Sequence, residues 1–199
     1  MPDRVYLFDV DGTLTEPREK IKEYIEDVFM SWIASKGKSV YLVTGSDISK
    51  MKEQLGEDLI DVCLGVFTCS GNVFRQKDTV IYSNVFDPSA EFIADLELYL
   101  DNSQWRSKKG NHIETRPGML NFSTVGRNAS LNMRKAYNRW DNVNLEREDI
   151  VAYINDLYPD LEVSIGGSIS VDIYPKGKNK GQVVEKLREL HGDDVEMIF

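Results

Sequence analysis

Two carboxylates follow a hydrophobic run near the start of the chain. Asp9 and Asp11 come directly after the apolar segment Val5–Phe8, and Gly12 follows them. If that segment is a buried strand, both side chains lie on one face at its carboxyl end, where open α/β sheets bind ligands. One carboxylate could then attack phosphorus while a metal neutralises the phosphate, and the other could exchange a proton with the substrate hydroxyl. Asp-Gly alone is common in turns, but the whole string DVDGTLT behind a strand favours phosphoryl chemistry.

Three further polar residues occupy positions where they could assist such chemistry. Thr44 follows the apolar run Val40–Val43 and could bond a phosphoryl oxygen if the strands are parallel. Ser46 is the alternative donor, and a helix cap is the other role open to either residue. Lys180 lies where a Lys/Gly-rich loop enters a predicted helix. Its ammonium could neutralise charge around a nucleophile, although a solvated surface lysine is the alternative.

A second group of candidates could bind an anion. Arg116 lies in the first strand of a predicted hairpin, Arg127 after its second strand, and Arg134 seven residues later. Seven residues are about two helical turns, so Arg127 and Arg134 would lie near one side of a helix beginning there. Strand alternation places Ser170 and Asp172 on a polar face. Surface arginines and an ordinary amphipathic strand are the alternative interpretations.

The segments around Asp9, Asp11 and Thr44 alternate between predicted strands and helices. This alternation predicts a parallel sheet covered by helices. A helix is predicted from Pro17 to Gly37, and another over Ile48–Leu55 behind an Asp47 cap. The strands are Val5–Phe8, Val40–Val43 and Val62–Thr68. The apolar face of the first helix is assigned to Ile21, Tyr24, Ile25, Val28, Phe29, Trp32 and Ile33.

The pattern changes near Asn84, which predicts an α+β module inserted in the α/β core. The expected boundaries are 1–83 and 178–199 for a discontinuous catalytic core and 84–177 for the module. The module's predicted elements are a helix begun by Asp87-Pro88, a hairpin over His112–Val125 turning at Pro117-Gly118, helices over Leu131–Trp140 and Leu145–Leu157, and strands over Leu161–Ile165 and Ile169–Tyr174. The core resumes at Lys180 with a helix through Val183–Leu190 and a strand over Val195–Phe199.

Composition narrows the function classes. The net charge of -9 argues against a nucleic-acid-binding surface, which is normally basic. The sequence shows neither a signal peptide nor an apolar span of membrane length, which predicts a soluble cytoplasmic protein without a membrane partner. Cys63 and Cys69 are interpreted as two buried thiols rather than a disulfide.

The motifs resemble a known family. The string from Asp9 to Thr15 is similar to the first motif of the haloacid dehalogenase superfamily, and Ile113–Arg127 resembles the cap signature of eukaryotic-type phosphomannomutases. The resemblance runs in register from Val5 to Phe199. It also includes Arg18, Gly45-Ser46-Asp47, Gln54-Leu55-Gly56 and the string Gly166–Asp172. Thr44 looks more like the phosphatases of the wider superfamily.

The resemblance implies a Rossmann-like haloacid dehalogenase core with an α+β cap that determines substrate specificity. It implies interconversion of mannose 6-phosphate and mannose 1-phosphate, with Mg²⁺, hexose 1,6-bisphosphate as activator, and a homodimer formed through the cap. By position, Asp9 would be the nucleophile and Asp11 the acid/base, both binding the metal, while Lys180 and Thr44 support the phosphate. The substrate-binding residues would be Arg18, Ser46, Arg116, Arg127, Arg134, Ser170 and Asp172.

The family pattern continues beyond the strand that matches Glu196–Phe199 into a Gly-Asp loop with further acidic metal ligands. The sequence is therefore expected to be truncated at Phe199 relative to that pattern, with half of the metal site. Two alternatives follow for the function. One is a sugar-phosphate phosphatase of the same superfamily, and the other is a catalytically impaired binding module.

Overall fold

The computed structural model describes residues 4–199, apart from the side chain of Lys36. The chain forms two compact units, one made of the residues up to Asn84 together with Gly177–Phe199, the other of Val85–Lys176. Each of the two boundaries between the units lies one residue from its predicted position. The catalytic and specificity roles assigned to the units remain predictions.

The first unit contains a six-stranded sheet in the order β10-β1-β2-β3-β4-β5. Strands β10, β1, β2 and β3 are mutually parallel, which confirms the predicted α/β core, and β2 and β3 are buried along their whole length as expected for strands covered on both faces. The strands are β1 (Arg4–Asp9), β2 (Val40–Val43), β3 (Gly65–Thr68), β4 (Val73–Gln76), β5 (Thr79–Ser83) and β10 (Glu196–Ile198). The helices are α1 (Glu23–Lys36), α2 (Ile48–Leu55), α3 (Glu57–Asp61) and α7 (Gln182–His191).

Helix α1 differs from its prediction at the start and on its face. It begins at Glu23 rather than near Pro17, because the preceding residues form turns that bring the backbone of Arg18 to Asp11. Tyr24 and Val28 are 65% and 69% exposed, so their assignment to the buried face is wrong. Gly37 ends the helix in the left-handed conformation, as predicted.

Two other parts of the first unit differ from the sequence prediction. The third strand begins at Gly65 rather than Val62, because the short helix α3 extends to Asp61 and leaves Val62 and Leu64 exposed. The antiparallel hairpin β4–β5, which lengthens the sheet beyond β3, was not predicted. Helix α2 begins as predicted, since the Asp47 carboxylate accepts a hydrogen bond from the backbone of Lys50.

The second unit contains a four-stranded antiparallel sheet in the order β6-β7-β9-β8. Helices α4 and α6 pack on its apolar face, where Phe92, Leu96, Ile150 and Ile154 contact Phe122 and the neighbouring strands. The first helix starts behind a Ser89 cap rather than at Asp87-Pro88. The elements are α4 (Ala90–Asn102), β6 (Ile113–Arg116), β7 (Met119–Phe122), α5 (Leu131–Asn144), α6 (Glu146–Leu157), β8 (Leu161–Gly166) and β9 (Ser170–Pro175).

Two smaller predictions can also be compared with the structure. Cys63 and Cys69 are both buried and neither forms a disulfide, and burial raises the pKa of Cys63 to about 12. Within residues 4–199, none of the helices has the length and apolar character needed to cross a membrane.

Candidate active site

Asp9 and Lys180 meet at the carboxyl end of strand β1. The Lys180 ammonium lies 3.0 Å from Asp9 Oδ1, which also accepts the backbone N–H of Val10 at 2.9 Å. The contact forms because α7 packs on the sheet through buried Val183 and Leu187 and so carries the loop before it to this edge. Both charged side chains are partly exposed. The structure thus brings together a carboxylate and the cation predicted to support it.

Asp11 lies two residues further on, and its Oδ1 atom accepts two hydrogen bonds. The backbone N–H of Arg18 donates at 2.9 Å and the side-chain amide of Gln54 at 2.8 Å. Arg18 has a φ of +67°, in the left-handed region that non-glycine residues seldom occupy. This backbone conformation turns the N–H of Arg18 toward the carboxylate; the substrate-binding role that the family resemblance implies for Arg18 stays a prediction.

Thr44 and Ser46 lie at the same edge of the sheet, directly after β2. Asp9 pairs with Val43 in the parallel register, so Thr44 follows the strand next to the Asp9 strand. Thr44 is buried, and its Oγ1 accepts the backbone N–H of Ser46 at 3.1 Å. Because Asp47 caps α2, neither Thr44 nor Ser46 is needed for capping. Both remain candidates to donate to a phosphoryl oxygen.

The oxygen donors of Asp9 and Asp11 suit a hard divalent cation. Their Oδ1 atoms take the hydrogen bonds described above, and neither Oδ2 atom accepts a hydrogen bond from the described part of the chain. Magnesium is commonly bound by one or two carboxylates together with waters and substrate phosphate. No group of three or more acidic, Cys or His side chains within residues 4–199 is arranged to hold a metal. The Asp9 carboxylate therefore fits a magnesium ion that completes its coordination with a backbone oxygen, waters and phosphate.

In the second unit, one carboxylate joins two of the predicted anion-binding arginines. Glu114 accepts from Arg116 Nε at 2.7 Å through one oxygen and from Arg127 Nε at 2.9 Å through the other. Burial raises the pKa of Glu114, but the hydrogen bonds and charges of the two guanidiniums outweigh burial and hold that pKa below its ordinary value. Glu114 therefore acts as an ionised bridge that fixes both guanidiniums.

Arg134 supports the segment that carries Arg127. Its Nη2 donates to the carbonyl of Arg127 at 2.6 Å and its Nε to the carbonyl of Ala129 at 3.0 Å. Helix α5 begins at Leu131, so Arg127 precedes the helix and the prediction that both arginines lie on one side of a helix is wrong. The two are neighbours because the Arg134 guanidinium reaches back to the Arg127 carbonyl. Arg134 is buried, and these contacts show it stabilising backbone.

A polar row crosses the sheet of the second unit. Glu114 faces Asn121, Asn121 faces Asp172, and Asp172 faces Ser164 in the strand registers. The Asn121 amide donates to Asp172 Oδ1 at 2.6 Å, and buried Ser170 donates to the carbonyl of Gly166 at 2.9 Å. The predicted polar face of β9 is therefore part of a polar surface that spans all four strands.

Sequence reasoning missed Gln54, Glu114 and Asn121 as members of these clusters. Glu114 lies two residues before Arg116, so strand alternation alone puts both on one face. Asn121 lies opposite Asp172 in the strand register, so it shares the polar face of the sheet with Asp172. Gln54 belongs to a string that resembles the family, and it lies three residues after buried Met51, so a polar side chain on the buried face of a helix is a second signal.

Solved structures show the same fold. The C-terminal domain of Candida albicans trehalose-6-phosphate phosphatase matches with a TM-score of 0.64 and 21% identity, over 94% of this chain and 62% of that domain. A HAD subclass IIB sugar phosphatase matches with a TM-score of 0.58 and 16% identity, over 95% of this chain and 76% of the other. A Bacteroides thetaiotaomicron phosphatase of the haloalkanoate (HAD) enzyme superfamily matches with a TM-score of 0.57 and 17% identity, over 94% of this chain and 72% of the other. The chain has the haloacid dehalogenase fold.

Sequence relatives are more specific. A phosphomannomutase of Dendrobium officinale is 33% identical over 96% of this chain and 79% of its own length. A phosphomannomutase of Arabidopsis thaliana is 33% identical over 96% of this chain and 81% of its own length. Phosphomannomutase 1 of Dictyostelium discoideum is 32% identical over 95% of this chain and 78% of its own length. The eukaryotic phosphomannomutase family model matches residues 27–199. This chain belongs to the eukaryotic phosphomannomutase family.

Proposed function

We propose that this chain is a phosphomannomutase that interconverts mannose 6-phosphate and mannose 1-phosphate through a phosphoryl group carried on Asp9. Membership of the family supports the activity. The observation that carries the assignment to residues is the Asp9–Lys180 pair at the carboxyl end of β1, with Asp11 two residues beyond. Paired carboxylates and a nearby cation are what acyl-phosphate chemistry requires.

The proposed reaction has two matched half-reactions. A carboxylate oxygen of Asp9 forms a bond to phosphorus of a hexose bisphosphate, the bond from phosphorus to the sugar oxygen breaks, and Asp11 gives that oxygen a proton. In the second half-reaction Asp11 removes the proton from a hydroxyl of the bound hexose monophosphate. That oxygen then attacks phosphorus, and the bond to Asp9 breaks. Hexose bisphosphate is consumed and regenerated, which is why it would act as an activator.

The neighbouring residues would stabilise the charge that moves in these steps. Lys180 would balance the charge spread over Asp9 and the transferring phosphoryl group. Thr44 or Ser46 would donate to a phosphoryl oxygen. Phosphotransferases of the haloacid dehalogenase superfamily generally use Mg²⁺. The Asp9 carboxylate and the backbone carbonyl of Asp11 would hold the ion, which neutralises phosphate charge when bound and leaves the Asp11 carboxyl group free to exchange its proton.

Arg116 and Arg127 of the second unit would bind the phosphate that does not react, and Arg134 would support the segment that carries Arg127. Arg–phosphate contacts are directional and charge-assisted, which suits recognition of a phosphate group at either end of a hexose. Glu114 supports this assignment because it holds Arg116 and Arg127 through their Nε atoms and so fixes the direction of both side chains. Arg18, Ser170 and Asp172 are proposed to contact the sugar.

A sugar-phosphate phosphatase is the second candidate, supported by Thr44, which resembles the phosphatases of the wider superfamily, and by a sugar phosphatase among the solved structures of the same fold. The two functions share the phosphorylated Asp9 and differ in whether water or sugar accepts the phosphoryl group. Products therefore distinguish them, whereas loss of activity in an Asp9 variant does not.

Phosphorus NMR of the protein with mannose 1-phosphate, Mg²⁺ and catalytic hexose 1,6-bisphosphate tests the proposal. We expect mannose 6-phosphate to accumulate, to be absent with Asp9→Asn, and to be unchanged with the control Asp193→Asn. Asp193 is exposed and precedes β10, so it lies at the amino end of that parallel strand, away from the Asp9 edge. Release of inorganic phosphate without isomerisation would favour the phosphatase, and an unchanged spectrum would contradict both functions.

The proposal includes a homodimer formed through the second unit and a cytoplasmic location, both inferred from the family resemblance. Light scattering of the purified protein tests the first, with a monomer at micromolar concentration as the contradicting result.

A further inference from the structure

We infer that Gln54 is a positioning residue that fixes the carboxyl group of Asp11 for proton transfer. The inference rests on the proposed function, because Asp11 has a proton to transfer only if the chain turns over a phosphate ester. It is carried by a cluster of contacts around one buried amide in α2, outside the residues that sequence motifs assign to catalysis.

The Gln54 side chain is only 2% exposed and its Nε2 atom reaches three acceptors. It lies 2.8 Å from Asp11 Oδ1, 3.1 Å from Thr15 Oγ1 and 3.5 Å from the carbonyl of Glu19. The Gln54 carbonyl accepts the backbone N–H of Ile21 at 2.8 Å. One residue of α2 therefore holds the whole segment that follows Asp11.

The other end of the same amide has no partner. Gln54 Oε1 is buried and accepts no hydrogen bond from the described residues. A buried polar atom without a partner is unfavourable, and an apolar side chain of similar length would avoid that cost. A requirement for the donor end of the amide explains why glutamine occupies this position.

The two bonds to Oδ1 dictate which oxygen of Asp11 exchanges the proton. Oδ1 accepts from both Gln54 Nε2 and the backbone N–H of Arg18, so in the acid form the proton must be on Oδ2. The same two bonds fix the plane of the carboxyl group. Without Gln54, the carboxyl group keeps one donor and can rotate, which places its acidic proton away from the leaving oxygen for part of the time.

The role makes a prediction about leaving groups that a purely structural role does not. Breaking the bond from phosphorus to a sugar oxygen needs a proton, because an alkoxide is a poor leaving group. Acetate leaves without protonation, so phosphorylation of Asp9 by acetyl phosphate does not need Asp11 as an acid. If Asp11 is no longer held in place, phosphoryl transfer from the sugar phosphate should slow, whereas transfer from acetyl phosphate should not.

The test compares wild type, Gln54→Met and the control Leu55→Met. Leu55 is the next residue of α2, is equally buried and receives the same new side chain, but contacts neither Asp11 nor the residues around it through hydrogen bonds. Two rates are measured: kcat and KM for hexose phosphate turnover with Mg²⁺ and hexose 1,6-bisphosphate, and phosphorylation of Asp9 by acetyl phosphate, followed by acid quench and intact-mass analysis.

For Gln54→Met we expect kcat for the hexose phosphate to fall at least about tenfold, within the range that a well-placed acid or base contributes, with KM changed less than about threefold. Phosphorylation by acetyl phosphate should change less than about threefold, and Leu55→Met should match wild type in both assays.

An equal loss in both assays, or no loss in either, overturns the inference. If wild type turns over no hexose phosphate at all, the proposed function fails and the inference fails with it. If wild type only hydrolyses the ester, the mutase assignment fails but the ratio of the two rates still decides the role of Gln54.

Discussion

Replacing Glu114 by Gln should destabilise the second unit and make its stability depend more strongly on phosphate. The substitution keeps the shape of the side chain but removes the negative charge between Arg116 and Arg127. Both ion pairs are short, at 2.7 and 2.9 Å, and the side chains are 30%, 9% and 15% exposed for Glu114, Arg116 and Arg127. The cluster is therefore neither a surface pair nor a fully buried one.

The magnitude follows from that intermediate burial. Exposed pairs contribute about 0.2 to 1 kcal/mol, whereas removing one partner of a buried pair costs about 3 to 5 kcal/mol. Because Gln retains one carbonyl acceptor for an arginine, we expect a loss of about 2 kcal/mol. For a chain of this size that lowers the thermal midpoint by about 4 to 8 °C.

The pH dependence has a definite sign. The two arginines hold the pKa of Glu114 below its ordinary value of 4.5, so its contribution to stability is complete above that pH and is lost as pH falls through the lowered pKa. The stability difference between wild type and Glu114→Gln should therefore be full at pH 7 and shrink progressively as pH falls below about 4.5.

Thermal unfolding of wild type, Glu114→Gln and the control Glu97→Gln, with and without inorganic phosphate, provides the assay. Glu97 is an exposed glutamate of α4 and should give the wild-type midpoint. Phosphate can take the place of the missing charge, so Glu114→Gln should gain more from it than wild type; ten times its Kd corresponds to about 1.4 kcal/mol. A midpoint equal to wild type, or an equal phosphate effect in both proteins, would show that the Glu114 charge does not hold the two arginines.

Three further predictions concern other parts of the molecule. Lys180→Met should lower kcat for hexose phosphate turnover by about 10²-fold, the usual cost of losing one electrostatic donor, and steady-state kinetics at saturating substrate would show a smaller loss if Lys180 were a surface lysine. Gly126→Ala should lower the thermal midpoint sharply, because Gly126 has a φ of +90° and a Cβ there would lie 2.1 Å from the Lys109 carbonyl oxygen; an unchanged midpoint would contradict this geometry. Arg147→Met should cost about 3 to 5 kcal/mol in urea unfolding, since it leaves the Asp141 carboxylate buried without the guanidinium 2.6 Å away, and a loss under 1 kcal/mol would contradict it.

Periodicity predicted most of the fold because the elements that bury apolar residues carry the strongest pattern. Strand β2 and helix α2 were predicted with their observed ends, and the hairpin β6–β7 turns where Pro117-Gly118 indicated. Errors arose where tertiary contacts decide. The start of α1 is set by the contact of Arg18 with Asp11, and no local propensity reports that contact. Helix α3 extends to Asp61, so β3 begins at Gly65 instead of the predicted Val62.

The site was predictable where a motif or a strand end marks it. Asp9, Asp11 and Thr44 lie at or just after strand ends, and the parallel register brings them to one edge of the sheet. Lys180 lies in the loop before α7, and the packing of that helix brings it to the same edge. Glu114 was missed although strand alternation places it beside Arg116, whereas Gln54 was missed because it acts through a residue distant in sequence. Gln54 donates across 43 positions to Asp11, so only the folded arrangement of α2 beside the Asp11 loop reveals its role.

Locating the phosphoryl group on the protein is the direct test of Asp9 as the nucleophile. Wild type is mixed with hexose 1,6-bisphosphate and Mg²⁺, quenched in acid, digested and analysed by mass spectrometry for a phosphorylated peptide. We expect phosphorylation at Asp9 that disappears on addition of mannose 1-phosphate, as the phosphoryl group returns to sugar, and that is absent from Asp9→Asn. Phosphorylation at another residue, or isomerisation that persists in Asp9→Asn, would contradict it.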